Sequence, residues 1–192
     1  MGPRRAYAGA KRGLDLVGAT LLLMATAPLL LLLAVAIRLD SCGPVLFRQP
    51  RVGRGGRLFT VYKLRTMVVG APAHGPKPAS AEDARLTRLG GWLRRTSLDE
   101  LPQLVNVLAG QMSLVGPRPE LPQLVARYEP WQRRRLDVLP GLTGWWQVNG
   151  RRQPMHDHVE DDLYYVDHQG LALDLRILVR TVGVVLSRRG AS

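Results

Sequence analysis

Cysteine is almost absent. Cys42 is the only one in 192 residues, so no disulfide can form within the chain and no zinc site can be built on thiolates. Histidine is scarce too, with four residues; His156, His158 and His168 lack the spacing of a ligand set, and His156-x-His158 reads as surface. Lysine is confined to Lys11, Lys63 and Lys77, so 24 of the 27 cationic side chains are arginine. Acidic residues number only 15, which leaves a net charge of +12. An arginine-dominated surplus points to an anionic partner, because the guanidinium fork matches phosphate oxygens better than an ammonium does. Nucleic acid, anionic lipid and a phosphorylated substrate are the classes this admits. A hydrophobic content of 46% excludes disorder, and the length suits one domain of ordinary size.

Charge is also missing from one long stretch. Residues 16–37 contain none, and 18 of these 22 residues are apolar, the length of a bilayer-spanning helix. A signal peptide is the weakest of three readings. Arg4, Arg5, Lys11 and Arg12 would form its basic start and Ala34-Val35-Ala36 its cleavage site, but the apolar core is too long. A simple span and a helix that enters and returns remain, and charge separates them. Cations near a segment's ends stay on the cytoplasmic side, and Arg38, Arg48, Arg51, Arg54 and Arg57 follow the segment just as the first group precedes it. Pro28, near the middle, removes a backbone donor and kinks a helix. Each arm of about 11 residues reaches roughly 17 Å, short of a hydrocarbon core of about 30 Å. The expectation is a re-entrant hairpin broken at Pro28 within residues 1–40, followed by a cytosolic catalytic domain over residues 41–192.

Beyond it, Val45-Leu46-Phe47 and Leu58-Phe59-Thr60-Val61-Tyr62 flank a Gly/Arg turn and read as a hairpin. Residues 68–82, with Pro72, Pro76 and Pro78, read as a mobile loop. Leu101, Leu104, Val105 and Leu108 fit a helix with one buried face, for which Asp99 is the expected N-cap. A helix over about 120–138 should break near Pro130. The stripe Leu175, Leu178, Val179, Val182, Val185 and Leu186, with Arg176 and Arg180 opposite, favours core over membrane contact. The fold class expected is an α-rich α+β protein: a membrane hairpin plus a small catalytic domain with amphipathic interfacial helices.

Asp99-Glu100 is the only adjacent acid pair set among so many arginines. Acids at a helix start are ordinarily capping residues. Here Lys63 and Arg65, Arg94 and Arg95, and Arg118 of Gly116-Pro117-Arg118-Pro119 surround the pair in sequence. A carboxylate near cations and a helix start stays ionised and can serve as nucleophile or metal ligand. The prolines around Arg118 stiffen the backbone that presents it. Residues 140–151 combine backbone donors, the Trp145-Trp146 planes and Arg151, a set suited to a nucleotide and equally to a buried tryptophan pair. Arg133-Arg134-Arg135 and Arg151-Arg152 read as solvated faces or contacts to anionic headgroups rather than nucleic-acid contacts.

Together these motifs resemble one family. They are Lys11-Arg12-x-Leu14-Asp15, the Pro28-interrupted apolar segment, Gly43-Pro44-Val45-Leu46-Phe47, Arg51-Val52-Gly53 and Tyr62-Lys63-Leu64-Arg65-Thr66-Met67. Asp83-Ala84-Arg85-Leu86-Thr87-Arg88-Leu89-Gly90, Arg94-Arg95-Thr96-Ser97-Leu98-Asp99-Glu100-Leu101-Pro102-Gln103, Met112-Ser113-Leu114-Val115-Gly116-Pro117-Arg118-Pro119 and the 140–151 loop complete the set. The chain resembles the bacterial sugar transferases, in the minimal form of the monotopic phosphoglycosyl transferases, from about Lys11 to Leu186. Ala27-Pro28, with Thr26 alongside, stands where many relatives have Ser-Pro, and Gln111 stands where they usually carry Asp.

The resemblance implies transfer of a sugar 1-phosphate from a UDP-sugar to undecaprenyl (polyprenyl) phosphate, with release of UMP. Asp99 would attack the phosphate bearing the sugar, and Glu100 would position a metal or assist the acceptor. Mg²⁺ would be held by Asp99 or Glu100. Lys63, Arg65, Arg94, Arg95 and Arg118 are the implied phosphate clamps. Gln147, Asn149, Arg151 and Asp162 are implied nucleotide or structural contacts. The partners implied are the UDP-sugar, the lipid phosphate and membrane lipid, without nucleic acid; oligomeric state is open, a homodimer being allowed. The location implied is the bacterial inner membrane, with the catalytic domain facing the cytoplasm. The sugar, the glycan pathway and the separate roles of Asp99 and Glu100 are not legible.

Overall fold

The computed structural model describes residues 3–72, 78, 83–149 and 158–187. Its first element is a helix, α1 (Pro3–Asp40), of 38 residues with Pro28 inside it. The break expected at Pro28 does not occur: one helix takes the place of two arms. A proline in mid-helix removes one hydrogen bond and crowds the carbonyl four residues back, which a helix supported at both ends can absorb. Thr26 does not offer its hydroxyl to that crowded carbonyl; its Oγ1 donates to Leu22 O at 2.6 Å.

Both ends of α1 are tied to the same body. Near the start, Lys11 Nζ donates to Val115 O and to Asp174 Oδ2, each at 3.0 Å. Arg12 caps the end of α3 (Leu104–Leu108) through the Val107 and Leu108 carbonyls, at 2.7 and 2.9 Å, a use of arginine suited to orphan C-terminal carbonyls. Asp15 is buried, and its Oδ1 accepts from Ser113 Oγ at 2.9 Å and Leu114 N at 2.8 Å. At the far end, Leu33 and Ile37 pack with Leu64 and Leu93, while Asp40 Oδ2 accepts from Leu89 N at 3.2 Å. Arg65 closes that end, donating to the carbonyls of Pro44, Cys42 and Ser41 at 2.6–2.8 Å. Between these anchors the outer face is apolar and exposed, with Val17, Leu21, Met24, Leu31, Leu32 and Val35 all open. The helix is long and apolar enough to cross a membrane, and that outer face is the surface of a membrane-associated helix.

The expected hairpin is present as β1 (Leu46–Val52) and β2 (Leu58–Leu64), antiparallel from Leu46↔Leu64 to Val52↔Leu58. The linking turn carries Gly55 and Gly56 at φ 66° and 79°, which glycine adopts without penalty. A second sheet pairs β3 (Ser113–Val115) in parallel with β4 (Gly141–Thr143). Helices α2 (Arg88–Thr96), α4 (Pro122–Val125), α5 (Trp145–Val148), α6 (Val159–His168) and α7 (Leu171–Ser187) complete a helix-rich body. The loop expected at 68–82 lies largely outside the described residues, at 73–77 and 79–82. Its flanks are joined, Val68 N donating to Arg85 O at 2.9 Å.

Three expectations change. Asp99 is not an N-cap. A 3₁₀ turn, Leu98–Gln103, precedes α3 and is capped by Ser97, the one non-glycine residue with positive φ among those described, at 57°. That tighter winding shifts the helical phase, so Val107 is buried with Leu104 while Val105 turns outward. The 120–138 segment divides into α4 and a 3₁₀ stretch, Gln132–Asp137. On α7, Ile177 enters the core, yet Leu175, Val179, Val182 and Val185 are exposed. Of the stripe read as core, Leu178 packs against the core while these four face out, because α7 is apolar on both sides and periodicity cannot say which side meets the body.

Asp15→Ala would strand the Ser113 hydroxyl and the Leu114 amide. It is expected to cost about 3–6 kcal/mol, from two charge-assisted hydrogen bonds of about 1.5–3 each. Thermal unfolding in detergent would show the loss, with Asp15→Asn recovering part of it.

Candidate active site

The site forms where β2, the 3₁₀ turn after α2 and the Gly116-Pro117-Arg118-Pro119 turn after β3 converge. Ser97, in the left-handed region, reverses the chain at the end of α2 and sets Asp99 and Glu100 in the first turn of the following 3₁₀ helix. Gly90 lets α2 lie against the strand end, since a Cβ there would stand 2.0 Å from Thr66 O. Gly116, Gly141 and Gly144 leave equally little room between the β3 turn and β4, with Cβ approaches of 2.1–2.4 Å to backbone atoms.

Glu100 is the hub. Its Oε1 accepts from Lys63 Nζ at 2.7 Å and Arg118 Nη2 at 2.6 Å, and its Oε2 accepts from Arg118 Nη1 at 3.3 Å. Burial would raise its pKa, but Arg118 and Lys63, with their hydrogen bonds, outweigh burial and hold it well below the usual carboxylate range. Glu100 in turn raises the Arg118 pKa. The side chains of Lys63, Glu100 and Arg118 keep 18, 20 and 25% of their surface, so the cluster is partly open to solvent rather than sealed in a core.

Asp99 sits beside it in a different state. It is buried, and among the described residues it has no side-chain hydrogen bond. Burial lifts its pKa to about 6, against the pull of Lys63 and with a push from Glu100. Arg94 completes the group. Burial lowers its pKa while Asp99 and Glu100 raise it, and its Nη1 is buried without a hydrogen-bond partner. Three cations thus face two carboxylates, leaving a positive site when both are ionised.

Of the residues read from sequence, Lys63, Arg94, Asp99, Glu100 and Arg118 come together. Arg65 does not join them, because its guanidinium is engaged with carbonyls at the end of α1. Arg95 is exposed on α2. Asp162 is buried in a pair with Arg135, its Oδ1 lacking a partner and its pKa pushed up to about 6 by burial. Gln147 donates to Leu142 O at 3.4 Å, and Asn149 accepts from Arg180 at 3.0 Å. Trp145 is stacked by Tyr164 at 4.7 Å and has Arg180 over its ring at 5.8 Å. Arg151 and His156 lie outside the described residues. Sequence reading missed Arg51, Glu120, Tyr128 and the specific role of Arg135, which together buttress the Arg118 turn; no motif marks them.

Among the described residues no group of three or more His, Cys, Asp or Glu could hold a metal. Mg²⁺ in phosphate chemistry needs only one or two protein carboxylates, with waters and substrate oxygens supplying the rest. Asp99, buried and without a hydrogen bond, fits that use. Glu100 does not, since Lys63 and Arg118 already occupy its oxygens.

A buried carboxylate beside three cations, close to a helix long and apolar enough to cross a membrane, makes a site suited to an anionic group. Comparison with known sequences adds the family. The profile of the bacterial sugar transferases matches residues 6–188, and the chain belongs to that family. It is 41% identical over 98% of its length to an Aeromonas hydrophila UDP-N-acetylgalactosamine-undecaprenyl-phosphate N-acetylgalactosaminephosphotransferase. It is 43% identical over 90% of its length to the Escherichia coli UDP-glucose:undecaprenyl-phosphate glucose-1-phosphate transferase. A third relative, a Bacillus subtilis sugar transferase called EpsL, is 44% identical over 94% of the chain. The chain spans 46% and 39% of the first two relatives and 89% of the third.

The raised Asp99 pKa carries a stability consequence. Between its ordinary value near 3.8 and about 6, the folded protein holds a proton that the unfolded chain releases. Stability therefore falls as pH rises through that window and stays reduced above it. Asp99→Asn is expected to raise stability at pH 7.5 by about 1–3 kcal/mol and to do little at pH 4. Thermal unfolding at both values checks this, and a lower melting temperature at pH 7.5 would contradict it.

Proposed function

We propose that this chain transfers a sugar 1-phosphate from a UDP-sugar to undecaprenyl (polyprenyl) phosphate, releasing UMP through a covalent intermediate on Asp99. The observation that carries the reading is the division of labour between adjacent carboxylates. Glu100 is locked by Lys63 and Arg118, whereas Asp99 has, among the described residues, no side-chain hydrogen bond to release before it attacks. An Asp99 oxygen forms a bond to the phosphorus bearing the sugar, and the bond from that phosphorus to the bridging oxygen breaks. UMP departs with that oxygen. A phosphate oxygen of the lipid then attacks the same phosphorus and frees Asp99. Splitting the reaction lets one cationic site serve two anionic substrates in turn.

Lys63, Arg94 and Arg118 are placed to meet charge developing on the phosphoryl oxygens. Preorganised cations are most effective there, because no reorganisation is needed at the moment of reaction. The unpartnered Arg94 Nη1 is the donor best suited to an incoming phosphate. Mg²⁺, held by Asp99 and substrate oxygens, would neutralise the diphosphate. Glu100 acts by holding Lys63 and Arg118 in place.

The same reading places the protein monotopically on the cytoplasmic face of a bacterial inner membrane. The anchors at Asp15 and Ile37 lie about 33 Å apart along a straight helix, yet both join one body. Such a helix would lie along one side of the bilayer rather than cross it, with the exposed apolar face of α7 beside it. The pathway would be the first membrane step of glycan assembly.

The test is UMP release from a panel of UDP-sugars with undecaprenyl phosphate and Mg²⁺. The parent should turn over and Asp99→Asn should lose at least 10³-fold. With donor alone, the peptide containing Asp99 should gain a sugar phosphate by mass. Activity should fall by half near pH 6 on the acid side, where Asp99 takes up a proton. A folded parent in the membrane fraction that releases no UMP from any donor would favour an anionic-lipid-binding module instead.

A further inference from the structure

Arg118 does not aim itself. Its turn is held by an unusual density of accepted carbonyls. Val115 O accepts from Lys11 at 3.0 Å and Tyr165 OH at 3.2 Å, and Pro117 O accepts from Gly141 N at 2.8 Å. Glu120 O accepts from Val52 N at 3.0 Å. The two carbonyls in between are taken by guanidiniums, one buried (Arg135) and one half-buried (Arg51). Arg135 Nη2 donates to Arg118 O at 2.7 Å, and Arg51 Nη1 donates to Pro119 O at 3.0 Å.

Arg135 is 2% exposed, and every contact it makes fixes its plane. Its Nη2 also meets Asp162 Oδ2 from α6, its Nη1 meets the Tyr128 hydroxyl, and its guanidinium carbon lies 5.6 Å from the Tyr128 ring centre. Only a planar fork with several donors can hold a carboxylate, a phenol and a backbone carbonyl at once. A buried ion pair contributes little net stability by itself, so its placement behind a working arginine calls for another explanation.

We propose that Arg135, braced by Asp162 and Tyr128, is a positioning residue for the transfer reaction. It acts through the Arg118 carbonyl to aim the Arg118 guanidinium at Glu100 and at the phosphate that Asp99 attacks. The inference rests on the reading of the site given above. It also assigns Asp162 a role as the anchor of Arg135, away from the nucleotide.

The experiment is a double-mutant cycle in UMP release, with Arg135→Lys and Arg118→Ala singly and together. Lysine keeps the charge facing Asp162, but its single nitrogen cannot span the separated partners that Nη1 and Nη2 reach. Arg135→Lys should lower kcat at least tenfold while the KM for the UDP-sugar moves less than threefold, since Arg118 acts on charge that develops in the transition state. In the Arg118→Ala background the same change should cost less than twofold, because its route of action is gone. Should Arg135→Lys not fold by thermal unfolding, Tyr128→Phe is read in its place, with an expected threefold loss that vanishes when Arg118 is absent. Losses that multiply in the double variant, or a kcat loss that matches a loss of folded protein, overturn the inference alone. Absence of UMP release by the parent overturns the reading beneath it as well.

Discussion

Glu100 carries the constraint on which the site depends. Its two oxygens take Lys63 from β2 and the fork of Arg118 from the turn after β3, so one carboxylate ties together three segments distant in sequence. The cluster is partly open, and charges at a partly wet surface attract far less than charges in a dry interior. Its worth lies in geometry. Two cations are fixed at a partly exposed surface, and among the described residues the neighbouring Asp99 has no side-chain hydrogen bond. Burial raises the Asp99 pKa to about 6 and keeps most water away from that carboxyl.

The membrane helix and the catalytic body form one structure rather than an anchor and a cargo. Lys11, Arg12 and Asp15 fasten the start of α1 to β3, α3 and α7, while Ile37, Asp40 and the Arg65 fork fasten its end. Lys11 reaches the carbonyl of Val115, the residue just before the Arg118 turn. Membrane seating and site geometry therefore share a side chain. This arrangement also explains a continuous helix through Pro28: a lost hydrogen bond is a modest cost beside two sets of buried anchors.

Arginine abundance has a second meaning that composition hides. A surplus of +12 reads as affinity for anions, yet Arg12, Arg51, Arg65 and Arg135 donate to backbone carbonyls. In a small body with short strands and several 3₁₀ turns, many carbonyls have no ladder partner. The guanidinium fork satisfies two or three of them at once. Arg94 differs from these arginines: its buried Nη1 has no hydrogen-bond partner among the described residues.

Much of this was legible in the amino-acid order. The hairpin around Gly53, the apolar segment near the N-terminus, and the gathering of Lys63, Arg94, Asp99, Glu100 and Arg118 follow from residue type, turn chemistry and family motifs, all of them local or motif-bound signals. What needed the tertiary structure was direction. Hydrophobic period could not say that α7 turns Leu175 and Val179 outward, since both sides of that helix are apolar. Residue type could not separate Arg65, which closes a helix end, from Arg118, which faces a carboxylate. Nor could it pair Arg135 with Asp162 across 27 positions, because a guanidinium's role is set by the acceptors that folding brings to it.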